Sequence, residues 1–492
     1  MSRRKRSDQT RRYEQKRREI QRRQNGIVFR ALIDWLIPPD ELFTKDRIHG
    51  NVKWSPDQLA TQAVIWAWQD SRFVTDEFTM ALEVCEKLEL EQVARTYTAF
   101  MDALDRYEEM FRLRLNQKFQ ALAQEVAGRF WRDGAWVLMG FDGSRVTTPR
   151  TVSNEKEFCA QNYGNGKTAK YRKKKSKGMR RRKNERNKAQ PQVPQVWITM
   201  IWHMRLRLPW TWRLGPSNSS ERAHVMEIMD QEKFPENTLF CGDAGFVGYD
   251  FWNSILTAGG QFLVRVGANV SLLSEKADHK RLGGGIVLCW PKGKMNSGAQ
   301  PLRLRLVKVK IGKTWMWMLT SIIDDKKLTI TMIIKYYKLR WGLEVEFRGL
   351  KQTNDKRKLR CRNSDRIYVE LDWSIRAMAF GELIALREQI PAPSTREATS
   401  RQNYDTKERS LANIMRALRT CMRNLKEYAD PNDDLLYRLS RALVQKYKNT
   451  TNKKARYRPK NPDKKPLGEP QIRKLTTEER DKLRKFDQRI AA

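Results

Sequence analysis

The chain is poor in the residues that build zinc sites: four histidines and six cysteines in 492 residues. No two of Cys85, Cys159, Cys241, Cys289, Cys361 and Cys421 stand at C-x-x-C spacing, which sets a zinc finger aside. Cysteines so widely spread suit a reducing compartment. No apolar stretch of the signal-peptide kind follows the Arg-rich N-terminus. No run of about 18 apolar residues offers a transmembrane helix. Acidic residues are also short: 57 Asp+Glu stand against 97 Lys+Arg, a formal net charge of +40. That excess points to a polyanionic partner, nucleic acid ahead of an anionic membrane surface. What is present rules out a merely disordered basic chain, because 40% of residues are hydrophobic and 16 are Trp.

Periodicity divides the chain. Residues 1–25 read as a basic tail and 26–130 as a helical DNA-binding domain. Within it, Ser55-Pro56 starts one helix, and Phe100, Leu104, Tyr107, Phe111, Leu115 and Phe119 mark a single amphipathic helix over 97–127. From 131 to 270 helix and strand alternate, which predicts an α/β core. The run 135-AWVLMGFDGS-144 reads as a buried strand stopping at Asp142, and 238-TLFCGDAGF-246 as another with Asp243 at its end. The run 196–212 is strand-like throughout, with Arg205 and Arg207 facing DNA or solvent, and Ser219 or Ser220 caps the helix that follows. Residues 271–325 read as a β-rich insertion, with a bulge at Leu306-Val307 where the alternation slips phase. Residues 326–390 return to the core with a helix over 327–352; 391–445 are helical, with 404–446 offered as a dimer interface; 446–492 form a basic C-terminal tail. The loop 167–190 is the strongest charge block. Its residues include Lys173, Lys174, Lys175, Arg180, Arg181 and Arg182, and it reads as a DNA contact.

The helix around 336-YYKLRWGLEVEFRGLK-351 carries the chemistry. At about 100° per residue, Tyr337, Arg340, Glu344 and Lys351 share an arc of about 60°, while Glu346 falls on the far side with the solvated charges. A carboxylate flanked by cations suits a hard metal ion beside phosphate; the plain alternative is a surface ion pair worth about 0.3–0.5 kcal/mol. Asp142 and Asp243 at strand ends decide for the first reading, because ligands of open α/β sheets bind there. Three carboxylates form an all-oxygen set suited to Mg²⁺ or Mn²⁺, and two such ions can serve phosphodiester displacement.

With Asp142-Gly143-Ser144, 242-GDAGF-246 and the ungapped Tyr-x2-Arg-x3-Glu-x6-Lys set in that order, the chain resembles the insertion-sequence-4 family of DDE transposases over about residues 130–390. The resemblance implies an RNase H-like catalytic core, a mixed sheet flanked by helices, with an all-β insertion. It implies that Asp142, Asp243 and Glu344 hold two divalent ions. It also implies that Tyr337, Arg340 and Lys351 grip DNA phosphates. The activity implied is a cut-and-paste transposase that cuts transposon ends, passes through a hairpin and joins the 3′-OH to target DNA. A base flipped for that hairpin needs an aromatic platform, for which Trp290, Trp315 and Trp317 are the candidates beside a core role for each. The implied setting is a homodimer on double-stranded DNA, away from membranes, in a prokaryotic cytoplasm at the nucleoid. Two alternatives stay open: a non-catalytic transposase-derived DNA-binding regulator, and an RNase H-like nuclease without strand transfer. The basic loop is a departure from the family pattern.

Overall fold

The computed structural model describes residues 23–43, 54–91, 93–159, 193–275, 284–312, 314–390, 404–444 and 467–491. The expectations for the basic residues 1–22, for the loop 167–190 with Lys173–Lys175 and Arg180–Arg182, and for 446–466 fall outside them. Among the described residues no helix is long and apolar enough to cross a membrane.

One ten-stranded sheet runs through the molecule. Its strands are β1 (Val137–Thr147), β2 (Gln195–His203), β3 (Leu208–Gly215), β4 (Thr238–Gly242), β5 (Gln261–Val266), β6 (Ser271–Ser274), β7 (Gly284–Cys289), β8 (Leu302–Ile311), β9 (Thr314–Thr320) and β10 (Gln471–Lys474). The spatial order is β10-β6-β7-β8-β9-β5-β4-β1-β2-β3. β3, β2 and β1 run antiparallel to one another, whereas β1, β4 and β5 are parallel. Continuous apolar runs such as Val137–Met139 and Leu239–Cys241 are buried, as expected for strands covered on both faces.

Several expectations change in three dimensions. β1 does not stop at Asp142: its pairing with β2 continues to Thr147, and only its pairing with β4 ends, at Gly140. The run 196–212 is a hairpin turned at Arg207, a non-glycine residue at φ 55°. Arg205 therefore does not lie on a strand face but donates to Asp133 at 2.7 Å. The predicted bulge in β8 is absent, since its pairing with both neighbours holds one register; Arg305 is buried there along with the leucines, so both faces of the strand are covered. The irregularity lies instead between Ile201 and Trp202, in the β2–β3 pair. The β-rich residues 271–325 include a short helix, Lys292–Asn296, and their strands extend the core sheet through β9 against β5.

Helices cover the sheet: α1 (Asn25–Leu36), α2 (Pro56–Trp68), α3 (Val74–Lys87), α4 (Tyr97–Arg106), α5 (Glu108–Val126), α6 (Glu221–Gln231), α7 (Tyr249–Thr257), α8 (Ile330–Leu339), α9 (Trp341–Gln352), α10 (Ser364–Gln389), α11 (Leu411–Arg423) and α12 (Thr477–Ala491). Ser55 opens α2 with Pro56 at its first position, and the Gln58 side chain accepts from the Ser55 N–H at 2.8 Å. The helix expected over 97–127 is two helices parted at Tyr107. α10 is buried nearly all round and joins the N-terminal helices to the sheet: it packs on α2, α5, α11 and β3, and Trp68 Nε1 donates to Ala377 O at 2.7 Å. The apolar face of α11, with Ile414, Met415 and Leu418, is spent on α10 and α1 within the same chain. The C-terminal segment is more than a basic tail. β10 adds in parallel to β6, and Leu475 and Leu483 complete a small cluster with Leu273, Leu288, Trp290 and Met295.

Candidate active site

The site forms where β1 and β4 part. Gly140 pairs with Cys241, so the same register carried two residues further sets Asp142 against Asp243. Asp243 begins the turn after β4, and its Oδ1 accepts from the Gly245 N–H at 2.8 Å. The Asp142 Oδ1 accepts from the Gly143 N–H at 2.9 Å.

α8 and α9 bring the third carboxylate. The expected single helix is interrupted at Arg340, which keeps helical dihedrals at the junction. The interruption leaves the predicted grouping intact on one side. Arg340 Nη1 lies 3.2 Å from Asp142 Oδ2, and Nη2 lies 3.6 Å from Glu344 Oε1. The Arg340 guanidinium also stands 5.6 Å from the centre of the Tyr337 ring. Lys351 Nζ donates to Ser144 Oγ at 2.7 Å, so it too reaches β1. The close approach depends on Gly342, where an added Cβ would come within 2.7 Å of Trp202 Cζ3. Leu343, Phe347 and Leu350 bury the opposite stripe of α9. Burial pushes the Asp142 carboxyl above its ordinary range; Arg340 and the Gly143 N–H oppose the shift, and the charges of Asp243 and Glu344 add to it. Three carboxylates thus share one electrostatic neighbourhood, with Arg340 set against two of them. Arg340 Nε is buried and has no hydrogen-bond partner among the described residues.

The donor set is hard oxygen and so fits a divalent cation of the Mg²⁺ or Mn²⁺ kind. As the side chains stand, no three His, Cys, Asp or Glu among the described residues are gathered to hold an ion. Arg340 engages Asp142 and Glu344 in that arrangement.

Glu346 departs from expectation. It is 5% exposed and faces Glu382 of α10. Burial holds its carboxyl well above the ordinary range; the Glu382 charge and a hydrogen bond with it add to the shift, against the pull of Arg409 and Arg207. α10 and the chain after it cover the side of α9 that sequence spacing assigned to solvent.

The three tryptophans also separate. Trp290 is buried, and its Nε1 donates to Ala299 O at 2.7 Å. Trp317 is buried with Lys308 over its ring at 5.2 Å. Both fill the core, so neither presents a free face for a base. Trp315 stays 59% exposed.

Two features were missed in the sequence. Trp341 is 58% exposed beside Glu344, a position the helix phase alone allows to be read. Glu221, the first residue of α6, lies against Gly143: a Cβ there would come within 2.7 Å of Glu221 Cγ and Cδ. Burial and the charges of Asp142 and Asp243 push the Glu221 carboxyl up to about 7. No sequence signal marks it, because its neighbours belong to other strands. Ser220 is the cap of α6, its Oγ accepting from the Ala223 N–H. His224 is half-buried, its Nδ1 3.0 Å from Thr199 Oγ1.

Residues 138–380, which contain Asp142, Asp243 and Glu344, match the transposase DDE domain family. The match supports a DDE transposase. The domain's span covers the sheet from β1 to β9 together with α8, α9 and most of α10. Among solved structures, a cryo-EM structure of the piggyBac transposase synaptic complex with hairpin DNA is similar at 11% identity and a TM-score of 0.38, covering 86% of this chain and 87% of that one. No curated protein matches the chain in sequence.

Proposed function

We propose that this protein is a DNA transposase that cuts transposon ends by metal-dependent phosphodiester hydrolysis and joins the freed 3′-OH to target DNA. The observation that carries the reading is the meeting of Asp142, Asp243 and Glu344 inside the matched domain, with Arg340 bonded to the first and third. The order β3-β2-β1-β4-β5, antiparallel then parallel, supports an RNase H-like core. The Tyr337–Lys351 spacing supports the insertion-sequence-4 family.

Asp142, Asp243 and Glu344 would hold the divalent cation, which when bound supplies charge neutralisation at phosphorus and a more acidic water. The protein's own groups do the rest. Lys351, anchored on Ser144, and Tyr337, beneath Arg340, border the carboxylates and offer donors to the phosphate on each side of the scissile bond. Arg340 exchanges its carboxylate contacts for phosphate oxygens as the carboxylates turn to the cation. Glu344 keeps 36% exposure, enough to meet a substrate entering from solvent. Trp315 is the free aromatic face on which an extrahelical base can stack. Lys and Arg in excess supply the attraction to double-stranded DNA, and two ends held together call for a homodimer.

Cleavage of end-containing DNA with Mg²⁺ by wild type and Glu344→Ala tests this. We expect a loss of about 10³-fold or more in the variant; undiminished cutting would remove Glu344 from the site. Strand-transfer products separate a transposase from a nuclease that only cuts.

A further inference from the structure

The site holds one acidic group that the three-carboxylate reading does not use. Glu221 begins α6, whose start is set by the Ser220 cap. Its side chain occupies the space a side chain at position 143 would need, within 2.7 Å of where that Cβ would stand. Position 143 is therefore glycine for room, directly after Asp142. Among the described residues, no hydrogen bond or ion pair holds the Glu221 carboxylate. Arg145, the nearest source of positive charge acting on it, lies with its guanidinium 3.9 Å over the Trp197 ring. A carboxylate brought beside two others without a cationic partner costs stability in the protein alone. The cost is recovered only by something positive arriving from outside.

We propose that Glu221 is a fourth carboxylate ligand for the divalent cation at Asp142, Asp243 and Glu344. The inference rests on the reading of those three as the metal site. A helix N-terminus favours an acidic residue on its own account, but it gives no reason for the next strand to surrender a side chain to it.

The test is Mn²⁺ binding to the full chain without DNA, read as free Mn²⁺ by electron paramagnetic resonance. The variants are Glu221→Gln, Asp243→Asn and Gly143→Ala. Removing a ligand or its support weakens binding by about 10–100-fold, and that is the expected result for both Glu221→Gln and Asp243→Asn. Gly143→Ala keeps every carboxylate but displaces Glu221, so it should weaken Mn²⁺ to a similar extent. It should add nothing in the Glu221→Gln background. If Glu221→Gln binds Mn²⁺ like wild type while Asp243→Asn is weakened, the proposal is overturned and the three-carboxylate site stands. If neither variant changes binding, the site itself is misassigned and the proposal goes with it. Circular dichroism of each variant without metal confirms the fold.

Discussion

Two faces of α9 carry glutamates two residues apart, and they live in different chemical worlds. Glu344 faces the open end of the sheet, one-third exposed, with Arg340 between it and Asp142. Glu346 faces α10, buried with Glu382 and the cations Arg207 and Arg409. An exposed carboxylate near cations can exchange partners at little cost. A buried one sharing its surroundings with another acid cannot, because any charge left there is unpaired in a poor dielectric. The first face is suited to bind something that comes and goes, and the second to hold two helices in one arrangement.

The largest break in this contrast is Glu344→Ala, with its expected loss of cutting at unchanged stability, within about 0.5 kcal/mol for an exposed site. Glu346→Ala should do the reverse. It leaves Arg409, Arg207 and Glu382 short of a partner, at a cost of about 2 kcal/mol in thermal or urea unfolding, while cutting per folded molecule persists. Glu346→Gln, which preserves a neutral hydrogen-bonding group, should cost less than the alanine. Equal stability of all three chains would mean the buried pair contributes nothing.

Glu221 lies between the extremes, half-buried and without a cationic partner. Its folded carboxyl keeps its proton to about 7, whereas an ordinary glutamate loses it near 4.5. Folding therefore takes up a proton in that window, and the metal-free protein loses stability as pH rises from about 4.5 through 7. In EDTA at pH 8, Glu221→Gln should be more stable than wild type by about 1 kcal/mol after discounting for solvent screening. The gain should vanish at pH 4.5 or below; a gain independent of pH would show that charge is not its source.

The smallest effect belongs to the phosphate contacts. If six to ten phosphates are bound, affinity should fall roughly 10³–10⁵-fold between about 50 and 200 mM salt. Lys351→Ala should flatten that log–log slope by about 0.9 and weaken all DNA sequences alike. An unchanged slope would leave Lys351 bonded to Ser144 and clear of the DNA.

Much of the site was legible because its signals are local or ordered along the chain. Helical phase puts Arg340, Glu344 and Lys351 on one side, and their contacts with Asp142 and Ser144 agree with it even across the break at Arg340. Strand-like runs locate β1 and β4. The misreadings share a cause. Whether Glu346, Trp290, Trp317 or Arg305 meets solvent depends on chain that arrives from tens of residues away, and periodicity describes a face without saying what covers it. The continuity of β6–β9 with the core sheet was illegible for the same reason, since alternation announces strands but not their neighbours.

By itself the sequence determined the charge that seeks a polyanion, the identities and order of the three acidic motifs, and the helical face that groups Tyr337 with Lys351. These depend on composition and on the short-range geometry of helix and strand. Tertiary structure alone decided that Asp142 stands against Asp243, that Glu221 joins them through the space left at Gly143, and that Glu346 belongs to the core. Those outcomes depend on strand register and helix packing, which are settled by burying apolar surface over the whole chain at once.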